Sequence, residues 1–116
     1  MSVTQPEILS VRRDDATAQL QLRIPRDLLY FKGHFDEMAL LPGVVQVDWA
    51  IRLARTHFTM PENFRRLSAL KFMRVIAPGA ETVLQLQWQT AAAELSFRYG
   101  DEDAPYSSGR ILFTPR

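Results

Sequence analysis

The sequence predicts an α+β fold: an antiparallel β-sheet wrapped around one long central helix. Three observations carry that prediction. Val44, Val45, Val47, Trp49, Ala50, Ile51, Leu53 and Ala54 place apolar side chains in almost every direction around one helix axis, and a helix apolar all round is normally buried. Ala18, Leu20, Leu22 and Ile24 alternate strictly with Gln19, Gln21 and Arg23. Leu84, Leu86 and Trp88 alternate with glutamines, and Leu95, Phe97 and Tyr99 with Glu94, Ser96 and Arg98, the period of half-buried strands. The strand patterns lie on both sides of a single helical stretch, and the short links at 90–92 and 100–105 suit antiparallel neighbours.

In chain order, Glu7 to Arg13 reads as a first strand, with Asp14-Asp15 as the turn after it. Ala18 to Ile24 is the second strand, ended by Pro25, and Asp27 can cap a short helical turn through Leu28, Leu29 and Tyr30. A loop then leads to Pro42-Gly43 and a helix of about four turns, which closes before Pro61. Leu67 to Ile76 reads as a strand and Pro78-Gly79 as a turn. The two alternating strands follow, and Tyr106 to Thr114 is the last. No repeat, low-complexity tract or linker interrupts the 116 residues, so residues 1–116 form one domain. One helix leaves sheet edge uncovered, and an exposed edge invites pairing, which favours a dimer joining two sheets.

Composition narrows the function classes. A net charge of +1 is too balanced for a nucleic-acid binder or a dedicated membrane-surface protein. There is no cysteine, which removes disulfides, thiolate nucleophiles and Cys-based zinc sites. Two histidines, His34 and His57, do not by themselves make a usual metal site, so no metal is expected. The N-terminus lacks an apolar signal core and no run of eighteen apolar residues occurs; the expected location is the cytoplasm.

The chemistry concentrates between Tyr30 and Phe58. His34 sits in the loop between Gly33 and Phe35, and Asp48 lies inside the apolar helix. Histidine titrates near neutrality and suits a general base. An acid buried among apolar residues is favoured in its neutral form and can give up a proton. Free backbone N–H groups at the helix start, near Gly43 and Val44, can hold a developing oxyanion with the helix dipole behind them. Plainer readings stand beside these. Asp48 and Arg52 are spaced for an i,i+4 ion pair, and a lone loop histidine can be a surface or packing residue. Gln46, on another side of the helix, can support the loop through hydrogen bonds. Tyr30 and Phe31 suit either the lining of an apolar channel or core packing, and His57 is a favourable charge near the helix C-terminus. Arg65, Arg66, Lys71 and Arg74 are a solvated strand face or a docking patch for an anionic partner.

The segment GHF…LPGVVQVDWA resembles the signature of the hotdog-fold 3-hydroxyacyl-acyl-carrier-protein dehydratases, the FabA/FabZ group. Those enzymes carry GHFPxxPxxPGV, then Gln, then Glu or Asp fourteen residues after the His. His34 and Asp48 stand at that spacing here, with Gly33, Phe35, Pro42, Gly43, Val44 and Gln46 in register. Leu70 to Ile76 with Pro78-Gly79 resembles the family's "F…R.V.PGD.L" strand and turn, and Ser108-Gly109-Arg110-Ile111 resembles its last strand. Within the group, VVQVDWA is most similar to the short dehydratases of aryl-polyene-type lipid pathways. The family prolines two and five residues after the His are replaced here by Asp36 and Ala39.

The resemblance implies a hotdog fold and dehydration of a 3-hydroxyacyl thioester to the trans-2-enoyl thioester in fatty acid or polyene lipid biosynthesis. It implies His34 as base, Asp48 as acid, and sites shared between protomers, His34 of one facing Asp48 of the other. The substrate would ride on the phosphopantetheine arm of an acyl carrier protein, with no further cofactor, and the partner would be a second copy or another hotdog subunit. Two alternatives remain open: a hotdog acyl thioesterase, and a non-catalytic acyl-binding or partner subunit, which the missing loop prolines support.

Overall fold

The computed structural model describes residues 3–29 and 40–115. The described residues form six strands and one helix: β1 Glu7–Arg13, β2 Thr17–Arg23, α1 Gly43–Arg55, β3 Phe64–Phe72, β4 Glu81–Gln89, β5 Glu94–Gly100 and β6 Pro105–Phe113. The strands form one sheet in the order β1-β2-β4-β5-β6-β3, with every neighbouring pair antiparallel. The chain therefore crosses the sheet through α1 between β2 and β3, and the helix lies against the inner face.

The alternating strands are where the sequence places them. Ala18, Leu20, Leu22, Leu84, Leu86, Trp88, Leu95, Phe97, Tyr99, Ile111 and Phe113 are all buried on the inner face. They meet across the ladder, with Leu20 opposite Leu84, Leu86 opposite Phe97 and Leu95 opposite Ile111. A slip of one residue would turn each of these sets to solvent, so burial fixes the register. The predicted turn at Pro78-Gly79 is present. Gly79 has φ 80° and donates its N–H to the Ile24 carbonyl at 2.8 Å. A Cβ there would also lie 2.7 Å from Cζ of Arg26, so both conformation and space require glycine.

Two expectations need correction. The third strand runs Phe64–Phe72 rather than Leu67 to Ile76. Beyond Phe72 the N–H groups of Met73 and Arg74 both donate to the Tyr106 carbonyl, which ends the regular ladder. Ile76 then turns into the core, and its carbonyl accepts from the N–H of Leu41. The apolar Val75-Ile76 pair thus marks an anchored loop, not a strand end.

The helix is also not covered all round. Val45, Gln46, Trp49, Ala50, Leu53 and Ala54 are buried, but Val44 is 77% exposed. Val47, Asp48 and Ile51 are only partly covered and Arg52 is exposed. Among the described residues a single sheet closes over one side of the helix cylinder, and no element covers the opposite flank. At the sheet's β3 edge, Phe64, Leu67 and Phe72 are exposed, and Met73 and Val75 follow. No helix among the described residues is long and apolar enough to cross a membrane.

Candidate active site

The helix entry is built from Leu41, Pro42 and Gly43. Leu41 is buried and tied to Ile76. Pro42 is the N-cap, with φ −61° and ψ 146°, the extended backbone that proline favours just before a helix. Its carbonyl accepts from the N–H groups of Val45 and Gln46 at 3.1 and 3.2 Å. The N–H groups of Gly43 and Val44 find no acceptor among the described residues, as the first turn of a helix dictates. Gly43 also admits an aromatic neighbour, because a Cβ there would lie 2.6 Å from Cζ of Phe72. The Phe72 ring at the end of β3 thus borders the helix N-terminus.

Gln46 is the hub of a buried network. It is 3% exposed, and its Nε2 donates to the Leu41 carbonyl at 3.1 Å. Its Oε1 accepts from Ser107 Oγ at 2.6 Å, and its backbone carbonyl accepts from Tyr99 Oη at 2.6 Å. Tyr99 and Ser107 face each other across β5 and β6, so one cross-strand pair grips the first turn of α1. Burial, and secondarily the negative Asp48, push the Tyr99 phenol well above its usual range, which keeps it a donor. Gln46 therefore supports the loop end, and its amide is engaged inside the fold.

Asp48 lies on the open flank of α1. Its side chain is 49% exposed and its Oδ2 accepts from Arg52 Nε at 2.8 Å. The burial expected to favour its neutral form is thus not supplied by this chain alone, and the i,i+4 ion pair is present. His34, Tyr30 and Phe31 lie outside the described residues. His57 differs from expectation: burial and then Arg13 lower its pKa, so its neutral form is favoured and it is not a fixed charge at the helix end.

The four basic residues do not form one patch. Arg65 and Arg66 are exposed at the start of β3. Lys71 pairs with Ser108 on the outer face of the sheet, away from α1. Arg74 is held by the chain itself: it donates to the carbonyls of Pro105 and Ala104, and its guanidinium lies 4.1 Å from the centroid of the Tyr106 ring.

The family model for the ApeI dehydratase, ApeI-like, matches residues 10–110. This chain belongs to the ApeI-like dehydratase family. The dehydratase heterocomplex ApeI:P from Xenorhabdus doucetiae is similar over 93% of this chain and 96% of that one, with 32% identity and a TM-score of 0.85. An uncharacterized protein from Erwinia carotovora subsp. atroseptica is 35% identical, with a TM-score of 0.68, over 95% of this chain and 96% of that one. The dehydratase domain from the CurF module of curacin polyketide synthase is 14% identical, with a TM-score of 0.63, over 97% of this chain and 44% of that one, a likeness of fold alone. No curated protein sequence matches. In this ApeI-like dehydratase, the sequence pointed to Gly43, Val44, Gln46 and Asp48 but not to Tyr99 and Ser107. Both sit at inward positions of their strands, and a hydroxyl on a buried strand face was the available signal that a polar partner lay opposite.

Proposed function

We propose that this chain is a 3-hydroxyacyl-thioester dehydratase acting on a chain carried by an acyl carrier protein. The observation that carries the reading is the placement of Asp48 one turn into a helix whose Gly43 and Val44 N–H groups have no acceptor among the described residues, within a dehydratase-family chain that keeps the His34-to-Asp48 spacing. In the proposed reaction His34 removes the proton from the carbon next to the thioester carbonyl. The electron pair of that C–H bond forms the new C=C bond as the neighbouring C–O bond breaks. Asp48 protonates the departing hydroxide, directly or through a water, so that water leaves. Charge developing on the thioester oxygen is met by the N–H groups of Gly43 and Val44.

The open flank around Val44 and Asp48 is where we place a second hotdog subunit, either another copy or a different chain. A subunit on that flank would enclose the Asp48 carboxyl, which is half exposed in this chain alone. A heterocomplex among the similar structures supports the different-chain version. Arg65 and Arg66, both exposed at the start of β3, are the residues we assign to carrier docking; Arg74 already binds the chain's own carbonyls. The cytoplasm is the proposed setting.

The Asp48–Arg52 ion pair favours a second reading, a subunit that supports catalysis by its partner. Incubation with a 3-hydroxyacyl thioester separates the possibilities. Enoyl absorbance from the chain alone, or from its complex in a way that depends on His34 and Asp48, supports the dehydratase. Release of free thiol supports a thioesterase, and activity of the complex indifferent to both residues supports the partner role.

A further inference from the structure

The outer face of the sheet, opposite α1, carries charge that the proposed acyl site does not use. The strand registers set two adjacent rows across it. One runs Gln85, Arg98, Ser108, Lys71 through β4, β5, β6 and β3; the next runs Gln87, Ser96, Arg110, Ser68. Three cations thus fall in two neighbouring rows that hold no carboxylate. All of these residues except Ser68 border an open groove of about 630 Å³, whose rim also includes Glu102 from the link between β5 and β6. That volume is in the range, roughly 300–1,000 Å³, of small-molecule sites.

Two details show how the cations are held there. Ser68 pairs with Arg110 and Lys71 with Ser108, so three steps along β3 match two along β6. This one-residue bulge contains Ala69 at φ 52°, a left-handed conformation unfavourable for a residue with a Cβ. In a regular ladder Leu70 would face Ser108 and Lys71 would point inward. The bulge instead sends Lys71 out beside Ser108, in the same row as Arg98 on the strand beyond, and lets Leu70 pack inward against the core. The second detail is Arg98. It donates through Nη2 to Gln85 Oε1, while its buried Nε has no partner. None of Lys71, Arg98 and Arg110 forms an ion pair among the described residues.

We propose that this groove binds a small ligand bearing two or more phosphate groups. Arg98 and Arg110 supply forked donors matched to phosphate oxygens, Lys71 supplies a point charge, and Ser96, Ser108 and Gln87 supply neutral hydrogen-bond partners. The site lies across the sheet from α1 and is independent of the proposed dehydration.

The test is calorimetric titration of the intact chain with pyrophosphate at constant ionic strength, with sodium chloride as the control. Saturable binding of one pyrophosphate per chain is expected. Arg110→Gln and Lys71→Gln, both at exposed positions, should each weaken it about tenfold, in line with charge-assisted hydrogen bonds, while Arg65→Gln leaves it unchanged. Arg98→Gln, checked for folding by circular dichroism, should remove it. Absence of saturable binding, heat that follows ionic strength alone, or binding unaffected by both Arg110→Gln and Lys71→Gln would overturn the proposal.

Discussion

Asp48 and Arg52 share an exposed ion pair, and its energetics separate a structural role from a chemical one. Exposed pairs of this kind stabilise by roughly 0–1 kcal/mol. Asp48→Asn and Arg52→Ala should therefore each change unfolding free energy by no more than about 1 kcal/mol. Turnover should split them: a general acid is worth about a hundred- to ten-thousandfold in rate, so Asp48→Asn should lose at least two orders of magnitude while Arg52→Ala retains most activity. Urea unfolding and an enoyl assay on the same preparations check both halves. Among the described residues, two groups have shifted titrations. His57 has its pKa lowered from 6.5 by burial and then Arg13, so the unfolded chain binds that proton first and stability falls as pH drops below about 6.5. Tyr99 has its pKa raised from 10.0 by burial and then Asp48, so the unfolded chain releases that proton first and stability falls as pH rises above about 10. In urea unfolding across pH, His57→Gln should flatten the acid limb and Tyr99→Phe the alkaline limb.

At the scale of elements, the sequence was most readable where one face of a strand is buried. The alternation of Leu20 and Leu22 against glutamines, and of Leu84, Leu86 and Trp88 against theirs, specified both strand and inner face. The β3 region was less readable because its signal is not alternation. Phe64 and Leu67 are exposed on an edge, a bulge at Ala69 breaks the period, and Ile76 is buried from a loop. The Gln46 network was invisible for a different reason, since Tyr99 and Ser107 lie 53 and 61 positions away and only the register of β5 and β6 brings them to α1. Two of the positive-φ positions, Ala69 and Gly79, should respond in opposite directions. Ala69→Gly relieves a left-handed conformation at an exposed site and should stabilise by up to about 1 kcal/mol. Gly79→Ala adds a Cβ at φ 80° against the Arg26 guanidinium and should destabilise by about 1–2 kcal/mol. Thermal unfolding of the two variants beside the wild type measures both.

For the molecule as a whole, the apolar surface is distributed unevenly. Val44 on the open flank of α1, Phe64, Leu67 and Phe72 along β3, and Met73 and Val75 beyond it are all exposed. An uncovered strand edge beside such residues is a site for association. The sequence indicated an uncovered edge from its single helix; the described sheet ends in two, β1 and β3, and the second depends on the crossover that carries β3 past β6. Val44→Glu combined with Leu67→Lys should yield a folded monomer by light scattering, with circular dichroism unchanged, because neither residue contributes to the core of the single chain. An unchanged assembly mass would place the partner elsewhere.

The central claim is that His34 and Asp48 dehydrate a 3-hydroxyacyl thioester. It is tested most directly by following enoyl formation from a carrier-bound 3-hydroxyacyl substrate with wild type, His34→Ala and Asp48→Asn, each alone and with any co-purifying hotdog partner. The account predicts enoyl product from the wild type and losses of about a hundredfold or more in both variants at unchanged folding. Enoyl formation at wild-type rates by either folded variant, or free thiol in place of enoyl product, would contradict it.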